Sequence, residues 1–108
     1  MSNYIMVLCT LDDREKAQKI AYNLVCEKLC ACVNILPGVK SVYEWQDKIE
    51  QTEEVLMLIK TRKELFDELK ETIVRHHPYE VPEVVALDIT EGNEQYLKWI
   101  DENTLKDV

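Results

Sequence analysis

Two long segments with β-strand composition follow each other with only two residues between them, and this feature restricts the possible folds most. Ala31–Trp45 is rich in Val, Ile, Asn and Tyr, and Lys48–Thr61 contains the apolar run Val55–Ile59. Gln46-Asp47 between them indicates a reversal, so the pair predicts a β-hairpin. Pro37-Gly38 interrupts the first segment, where we expect a bulge or a bend.

The length of this hairpin exceeds the size of the body that 108 residues can form. Fourteen extended residues, as in Lys48–Thr61, span about 46 Å at ~3.3 Å per residue. A globule of this chain length has a diameter of about 34 Å. The protruding part would leave unpaired strand edges with Val42, Tyr43 and Trp45, and such edges are usually covered. A second copy of the chain is the simplest cover, so the hairpin predicts a homo-oligomer.

The rest of the chain alternates strand and helix patterns in an order that indicates the fold class. The expected elements are a central strand buried on both faces at Tyr4–Thr10, a helix at about 12–29, a helix between the capping-box pattern Thr61–Glu64 and Pro78, a strand at Val84–Thr90 and a final helix at Glu94–Asn103. The order β-α-β-β-α-β predicts an α+β, ferredoxin-like antiparallel sheet with two helices on one face. We expect residues 1–108 to form one domain.

Charge and composition exclude several classes of partner. The formal net charge is −8, which argues against binding to nucleic acid or to an anionic membrane surface. No apolar run approaches the ~20 residues of a spanning helix, and the amino terminus lacks a secretory pattern. We therefore expect a cytoplasmic protein whose four cysteines are reduced thiols.

Short motifs recur along nearly the whole chain in a fixed order. They are Val7-Leu8-Cys9-Thr10, Glu27-Lys28-Leu29, Ala31-Cys32-Val33-Asn34-Ile35-Leu36-Pro37-Gly38, Ser41-Val42-Tyr43-Glu44-Trp45, Lys48-Ile49-Glu50, Ile59-Lys60-Thr61, His77-Pro78-Tyr79-Glu80-Val81-Pro82-Glu83 and Tyr96-Leu97-x-Trp99-Ile100. Together they resemble the CutA divalent-cation-tolerance family. The resemblance implies a ferredoxin-like subunit, a PII-like homotrimer, a cytoplasmic location and a link to tolerance of copper and other divalent metals. The chain departs from the family pattern at Asp47, where glycine is usual, and at Cys30, where alanine is more usual.

The resemblance also implies a set of metal ligands. The positions that match the family's copper site are Cys9, His76 and His77. Thiolate and imidazole suit copper and also zinc, so a copper ion is the expected cofactor and zinc an alternative. Each residue also has a purely structural interpretation. Cys9 then fills the core as a small hydrophobic side chain, His76 faces inward with a hydrogen bond, and His77 caps the end of its helix.

Two further groups of side chains are weaker candidates. Cys26 and Cys30 lie four residues apart and would share a helix face if the helix reaches residue 30, where they could bind a soft ion, touch another subunit or lie at the surface. Cys32 begins a strand, and we expect it to be packed. Five carboxylates could attract a hard ion, although a solvated face is the commoner role. They are Glu50, Glu53, Glu54, Glu80 and Glu83.

Two classes of function follow from these residues. The first is a trimeric metal-responsive protein that buffers or senses copper, with Glu80 as an acceptor that orients an imidazole. The second is a signalling or scaffold trimer that binds a small metabolite or a protein partner in clefts between subunits. The aromatic residues expected at such clefts are Tyr43, Trp45, Tyr79 and Trp99. We expect no enzymatic activity, because the sequence has no phosphate loop, nucleophile elbow or HExxH motif.

Overall fold

The computed structural model describes residues 2–104, which form one four-stranded sheet and three α-helices. In chain order the elements are β1 (Tyr4–Leu11), α1 (Arg14–Cys26), β2 (Cys32–Trp45), β3 (Lys48–Arg62), a 3-10 turn (Lys63–Leu65), α2 (Phe66–His76), β4 (Val84–Asp88) and α3 (Glu94–Glu102). The strand order is β2-β3-β1-β4, and each neighbouring pair is antiparallel. This arrangement confirms the predicted α+β, ferredoxin-like fold.

Helices α1 and α2 cover one face of the sheet and bury alternate residues of the two central strands. On β1, the residues Ile5, Val7, Cys9 and Leu11 are all at most 2% exposed. They pack with buried residues of β3, α1 and α2 in one apolar cluster. The intervening residues of β1 are only half-buried. Our prediction that β1 is buried on both faces was therefore wrong for the single subunit, because the helices cover only one face.

Helix α1 is shorter than predicted, and its end is a Schellman motif. The Lys28 N–H donates to the Val25 carbonyl, and the Leu29 N–H donates to the Leu24 carbonyl, both at 3.0 Å. Lys28 has a φ of 60°, the left-handed conformation that this motif requires and that glycine usually supplies. The helix therefore ends at Cys26 rather than at residue 29. The amino end follows the prediction more closely, since the Asp13 carboxylate accepts from the Lys16 N–H.

The hairpin of β2 and β3 extends well beyond the rest of the sheet, as its length predicted. Strand β1 pairs with β3 only from Val55 to Arg62, so the preceding part of β3 pairs with β2 alone. The subunit is elongated, with principal extents of 44 × 25 × 22 Å. Gln46 and Asp47 both adopt positive φ at the tip, as in a type I′ turn. The predicted bulge is confirmed, because the register shifts between Leu36 and Val39.

The predicted capping box at Thr61–Glu64 does not form. Strand β3 continues to Arg62, and the Thr61 hydroxyl donates to the Leu29 carbonyl at 2.7 Å instead of capping a helix. The 3-10 turn then leads into α2 without a side-chain cap. Because Thr61 is completely buried, this bond anchors the end of α1 to the central sheet. Helix α2 ends at His76, two residues before Pro78.

The second face of the sheet carries apolar side chains that α3 covers only at one end. The Tyr4 hydroxyl donates to Asp101 at 2.6 Å, and the Arg62 Nε donates to the Thr104 hydroxyl at 2.9 Å, so α3 lies over the start of β1. Cross-strand partners project from the same side of a sheet, so the strand register identifies the other apolar residues of this face. We call these residues the open face. They are Met6, Leu8, Leu36, Leu56, Leu58, Val85 and Leu87. Among residues 2–104, no helix is long and apolar enough to cross a lipid bilayer.

Candidate functional site

His77, the residue that follows α2, contacts the end of β1. This residue is the C-cap of α2 in an extended conformation, and its side chain is 8% exposed. The His77 Nε2 donates to the Thr10 carbonyl at 2.8 Å, and its Nδ1 accepts from the Tyr79 N–H at 3.0 Å. Both ring nitrogens are therefore engaged by the protein, Nε2 as a donor and Nδ1 as an acceptor. The fold thus brings His77 beside the residue that follows Cys9.

The Cys9 thiol lies in the core under the helices and is not exposed. Burial, with smaller contributions from the charges of Glu83 and Glu54, raises its pKa to about 12. A thiol that is inaccessible and hard to deprotonate is the opposite of an activated nucleophile. The environment of Cys9 therefore fits the core role, and a ligand role would require the loss of a strongly held proton.

His76 differs from Cys9 and His77, which are both buried. It lies exposed on the last turn of α2, where its Nδ1 donates to the Thr72 carbonyl at 2.9 Å. The inward-facing alternative for His76 is therefore wrong. In the part of the chain that the structure describes, no group of three His, Cys, Asp or Glu side chains is arranged to hold a metal ion. Cys9, His76 and His77 do not form a ready site within one subunit.

A buried carboxylate lies at the base of the protruding hairpin. We had expected Glu54 at a solvated position, but it is only 5% exposed. Its Oε1 accepts from the Ser41 hydroxyl of β2, and its Oε2 accepts from the Tyr79 hydroxyl at 2.6 Å. Burial and the bond to Glu54 raise the pKa of Tyr79, so its proton stays on the phenol. The sequence pattern around Glu54 did not reveal that this carboxylate is buried, because its hydrogen-bond partners are distant in the sequence.

A cleft of about 750 Å³ opens above Glu54, between the hairpin and the segment that follows α2. Its apolar walls include Val42, Tyr43 and Trp45 of β2 and Val81. Its polar residues are Thr10, Ser41, Glu54, Tyr79, Glu80 and Glu83. We call this space the hairpin cleft. Its volume falls in the range of small-molecule sites.

Several other candidate residues lie outside this arrangement. Cys26 is exposed on α1, whereas Cys30 is buried beyond the end of the helix. The helix therefore does not reach residue 30, which was the condition for a pair on one helix face. Cys32 is half-buried at the start of β2. Trp99 stacks on Tyr96 within α3, with ring centroids 5.6 Å apart, and does not line the cleft. Glu80, which was predicted to orient an imidazole, lines the hairpin cleft. The rings of His76 and His77 bind backbone carbonyls rather than Glu80.

Comparison with known proteins gives a consistent result over nearly the whole chain. The model of the family described as CutA1 divalent ion tolerance protein matches residues 5–103. The divalent-cation tolerance protein CutA of Thermus thermophilus is 50% identical over 99 residues, covering 92% of this chain and 96% of that protein. The chloroplastic protein CutA of Arabidopsis thaliana is 48% identical over 100 residues. That match covers 93% of this chain, which spans only 55% of the length of the Arabidopsis protein.

Solved structures show the same fold. The divalent cation tolerance protein from Thermus thermophilus superimposes with a TM-score of 0.91 at 50% identity, over 94% of this chain and 98% of that one. CutA1 from Oryza sativa superimposes with a TM-score of 0.94 at 42% identity, over 98% of this chain and 97% of that one. The similarity therefore includes the long hairpin and α3 as well as the central sheet.

Proposed function

Because this chain belongs to the CutA1 divalent ion tolerance family, we propose that it contributes to metal tolerance as a homotrimer that binds copper or another heavy-metal ion. The observation that carries this proposal is the family match over residues 5–103. We further propose a reducing compartment such as the cytoplasm, which suits four free cysteines. The proposed activity is binding rather than catalysis.

The proposed ligands are Cys9, His76 and His77, and the structure defines what binding would require of each. His76 offers an exposed Nε2, since its Nδ1 is already bonded to Thr72. His77 must release either the Thr10 carbonyl or the Tyr79 N–H. Cys9 must become accessible and lose its proton. Binding through these residues therefore needs a rearrangement at the end of β1 and should weaken as the pH falls.

Calorimetric titration with Cu(I) and Zn(II) under anaerobic conditions tests this ligand set. We expect the His76→Ala/His77→Ala double variant to lose most of the affinity of the wild-type chain. Cys26→Ser is the matched control, because this exposed thiol lies outside the proposed set and should leave stoichiometry and affinity unchanged. Unchanged binding in the double variant would remove both histidines from the site.

The homotrimer is supported by two surfaces that a single subunit leaves exposed. The open face carries Leu36, Val85 and Leu87, which are 40%, 47% and 51% exposed. The protruding hairpin exposes Val42 and Ile49, which are 61% and 70% exposed. Apolar surface of this extent usually marks an interface, and further copies of the chain would cover it.

A second candidate function is that of a signalling or scaffold trimer that binds a small molecule. The hairpin cleft is the specific observation that favours it, because aromatic walls and converging polar groups are typical of ligand sites. Bound metal per subunit after gentle purification separates the two functions. Stoichiometric copper or zinc supports the first. Metal-free protein whose melting temperature rises with a small molecule and not with copper supports the second.

A further inference from the structure

His76 and His77 each use one ring nitrogen to bind a backbone carbonyl. The Nδ1 of His76 donates to the Thr72 carbonyl at 2.9 Å, and the Nε2 of His77 donates to the Thr10 carbonyl at 2.8 Å. A histidine that binds a metal ion usually donates its other ring N–H to an acceptor of this kind, which fixes the direction of the ring. The nitrogens that remain for a ligand are therefore Nε2 of His76 and Nδ1 of His77.

The Nδ1 of His77 is covered by the main chain of Tyr79. It accepts a 3.0 Å hydrogen bond from the Tyr79 N–H, so its lone pair points at this group. Displacement of the Tyr79 N–H frees Nδ1 without the loss of a ring proton. Binding through Nε2 instead requires both the loss of its proton and a broken bond to β1, the strand that carries Cys9. The Tyr79 N–H is therefore the group that closes His77.

The two hydrogen-bond partners of His77 are held by different kinds of structure. Thr10 belongs to the central strand β1, where it is paired with Leu56 of β3. Tyr79 lies between α2 and β4, in residues 77–83, which contain no helix or strand. Displacement of Tyr79 therefore breaks no hydrogen bond of the sheet, and it requires a smaller local opening than displacement of Thr10.

A second contact restrains Tyr79 in the closed arrangement. Its hydroxyl donates to Glu54 of β3 at 2.6 Å, and Glu54 also accepts from the Ser41 hydroxyl of β2. The Tyr79 and His77 rings pack edge-on, with centroids 4.7 Å apart. The residue that covers Nδ1 is thus tied through Glu54 to both strands of the hairpin. This arrangement agrees with the finding that residues 2–104 contain no group of three side chains placed to hold a metal ion.

From these contacts we propose that Tyr79 gates the Nδ1 of His77, and that the bond from Tyr79 to Glu54 keeps the gate closed. The inference rests on the proposed metal binding and deepens it, because it names the ligand atom of His77 and makes Tyr79 a positioning residue. Opening moves the Tyr79 N–H away from Nδ1 and loosens the hydroxyl from Glu54. Such coupling is reciprocal, so loss of the Glu54 bond raises metal affinity. The gate connects the metal ligands to the base of the hairpin.

Tyr79→Phe tests the gate, because it removes the hydroxyl and keeps both the ring and the main-chain N–H. Calorimetric titration with Zn(II), and with Cu(I) under anaerobic conditions, measures the affinity. We expect Tyr79→Phe to bind more tightly than wild type by about fivefold or more, a part of what one hydrogen bond to a charged group contributes. A merely structural role of Tyr79 would leave the affinity unchanged or lower it. Tyr22→Phe, a control at an exposed tyrosine, should change it by less than about twofold.

Amide hydrogen exchange reports on the gate in the metal-free protein. The main-chain N–H of residue 79, followed by NMR, should exchange faster in Tyr79→Phe than in wild type by about fivefold or more, because its local opening costs less. Saturating Zn(II) should also accelerate this exchange in wild type. Tyr22→Phe should exchange at residue 79 like wild type. Unchanged exchange at residue 79 in Tyr79→Phe would overturn the proposal.

Substitution of His77 shows whether the gain in affinity depends on Nδ1. In the Tyr79→Phe background, His77→Ala removes the ring, and His77→Asn is a second variant that keeps an oxygen acceptor for the N–H of residue 79. Both should cancel the gain, and a gain that persists in both would overturn the gate. If wild type binds metal and Tyr79→Phe binds no more tightly, the gate is refuted while the metal-binding proposal stands. If neither protein binds Zn(II) or Cu(I), both proposals fall.

Discussion

The Tyr79 hydroxyl donates a 2.6 Å hydrogen bond to the Glu54 carboxylate, and this bond joins the segment after α2 to the base of the protruding hairpin. The Tyr79 ring also packs edge-on against the His77 ring, with centroids 4.7 Å apart. Tyr79 thus links the predicted metal-ligand region to the hairpin cleft. Any change in its position would affect both regions.

Tyr79→Phe should destabilise the protein by about 1–3 kcal/mol, because it leaves one oxygen of a buried carboxylate without its donor. Urea unfolding at a fixed protomer concentration measures the change. Tyr22→Phe is the matched control, since Tyr22 is 71% exposed and should change stability by less than about 0.5 kcal/mol. Equal stability of Tyr79→Phe and wild type would show that the Glu54 oxygen finds another partner.

The four cysteines should differ sharply in reactivity. Cys26 is exposed, whereas Cys9 and Cys30 are fully buried with pKa values raised by burial to about 12. A thiol reagent should therefore label Cys26 rapidly in the native protein and reach Cys9 and Cys30 only on unfolding. Cys26→Ser should remove the fast phase. Rapid labelling of Cys9 in that variant would contradict its placement in the core.

Stability should fall in alkaline solution. The pKa values of Cys9 and Cys30 are raised from 9.0 to about 12, so the unfolded chain loses these protons at lower pH than the folded one. The stabilisation is complete below pH 9.0 and is lost as the pH rises toward 12. The pKa values of Tyr4, Tyr79 and Tyr96 are raised as well, which adds to the loss above pH 10.0.

The urea midpoint measured as a function of pH tests this linkage. Cys30→Ala should make the decline above pH 9.0 shallower, because one of the two shifted thiols is removed. Cys26→Ser should leave the slope of the wild type, since that thiol is exposed in the folded chain. A stability that stays constant or increases from pH 9.0 upward would contradict the buried, protonated state of these thiols.

The open face can be tested with two valines of equal exposure. Val85 on β4 and Val74 on α2 are both 47% exposed, but only Val85 projects from the open face. Val85→Asp should lower the assembled mass at micromolar concentration, because a charge in an apolar interface is costly to bury. Val74→Asp should keep the mass of the wild type. A Val85→Asp protein that assembles like wild type would place the interface elsewhere.

The sequence predicted those parts of the fold that depend on local pattern and length. The hairpin, its bulge at Pro37-Gly38 and its reversal at Gln46-Asp47 follow from β composition and turn residues. The end of α1 was missed because Lys28 takes the left-handed position where glycine is the usual signal. Thr61 matched a capping pattern, but its hydroxyl bonds to the distant Leu29 carbonyl.

The candidate site was less predictable because its contacts are non-local. Glu54 is hydrogen-bonded by Ser41 and Tyr79, which lie 13 and 25 residues away in the sequence. The residues next to Glu54 in the sequence indicated a solvated position because they do not include these partners. Tyr43, Trp45 and Tyr79 were expected at a cleft, and they line one within a single subunit. The ligand set of Cys9, His76 and His77 stays a prediction. The single domain over residues 1–108 also stays a prediction, and residues 105–108 lie outside the described part.

The mass of the native protein in solution tests the central claim most directly, namely that sister copies complete the protruding hairpin and the open face. Sedimentation equilibrium or light scattering at micromolar concentration should give three times the chain mass of 12.7 kDa. A mass of 12.7 kDa under those conditions would contradict the account, because the hairpin and the open face would then remain exposed to water.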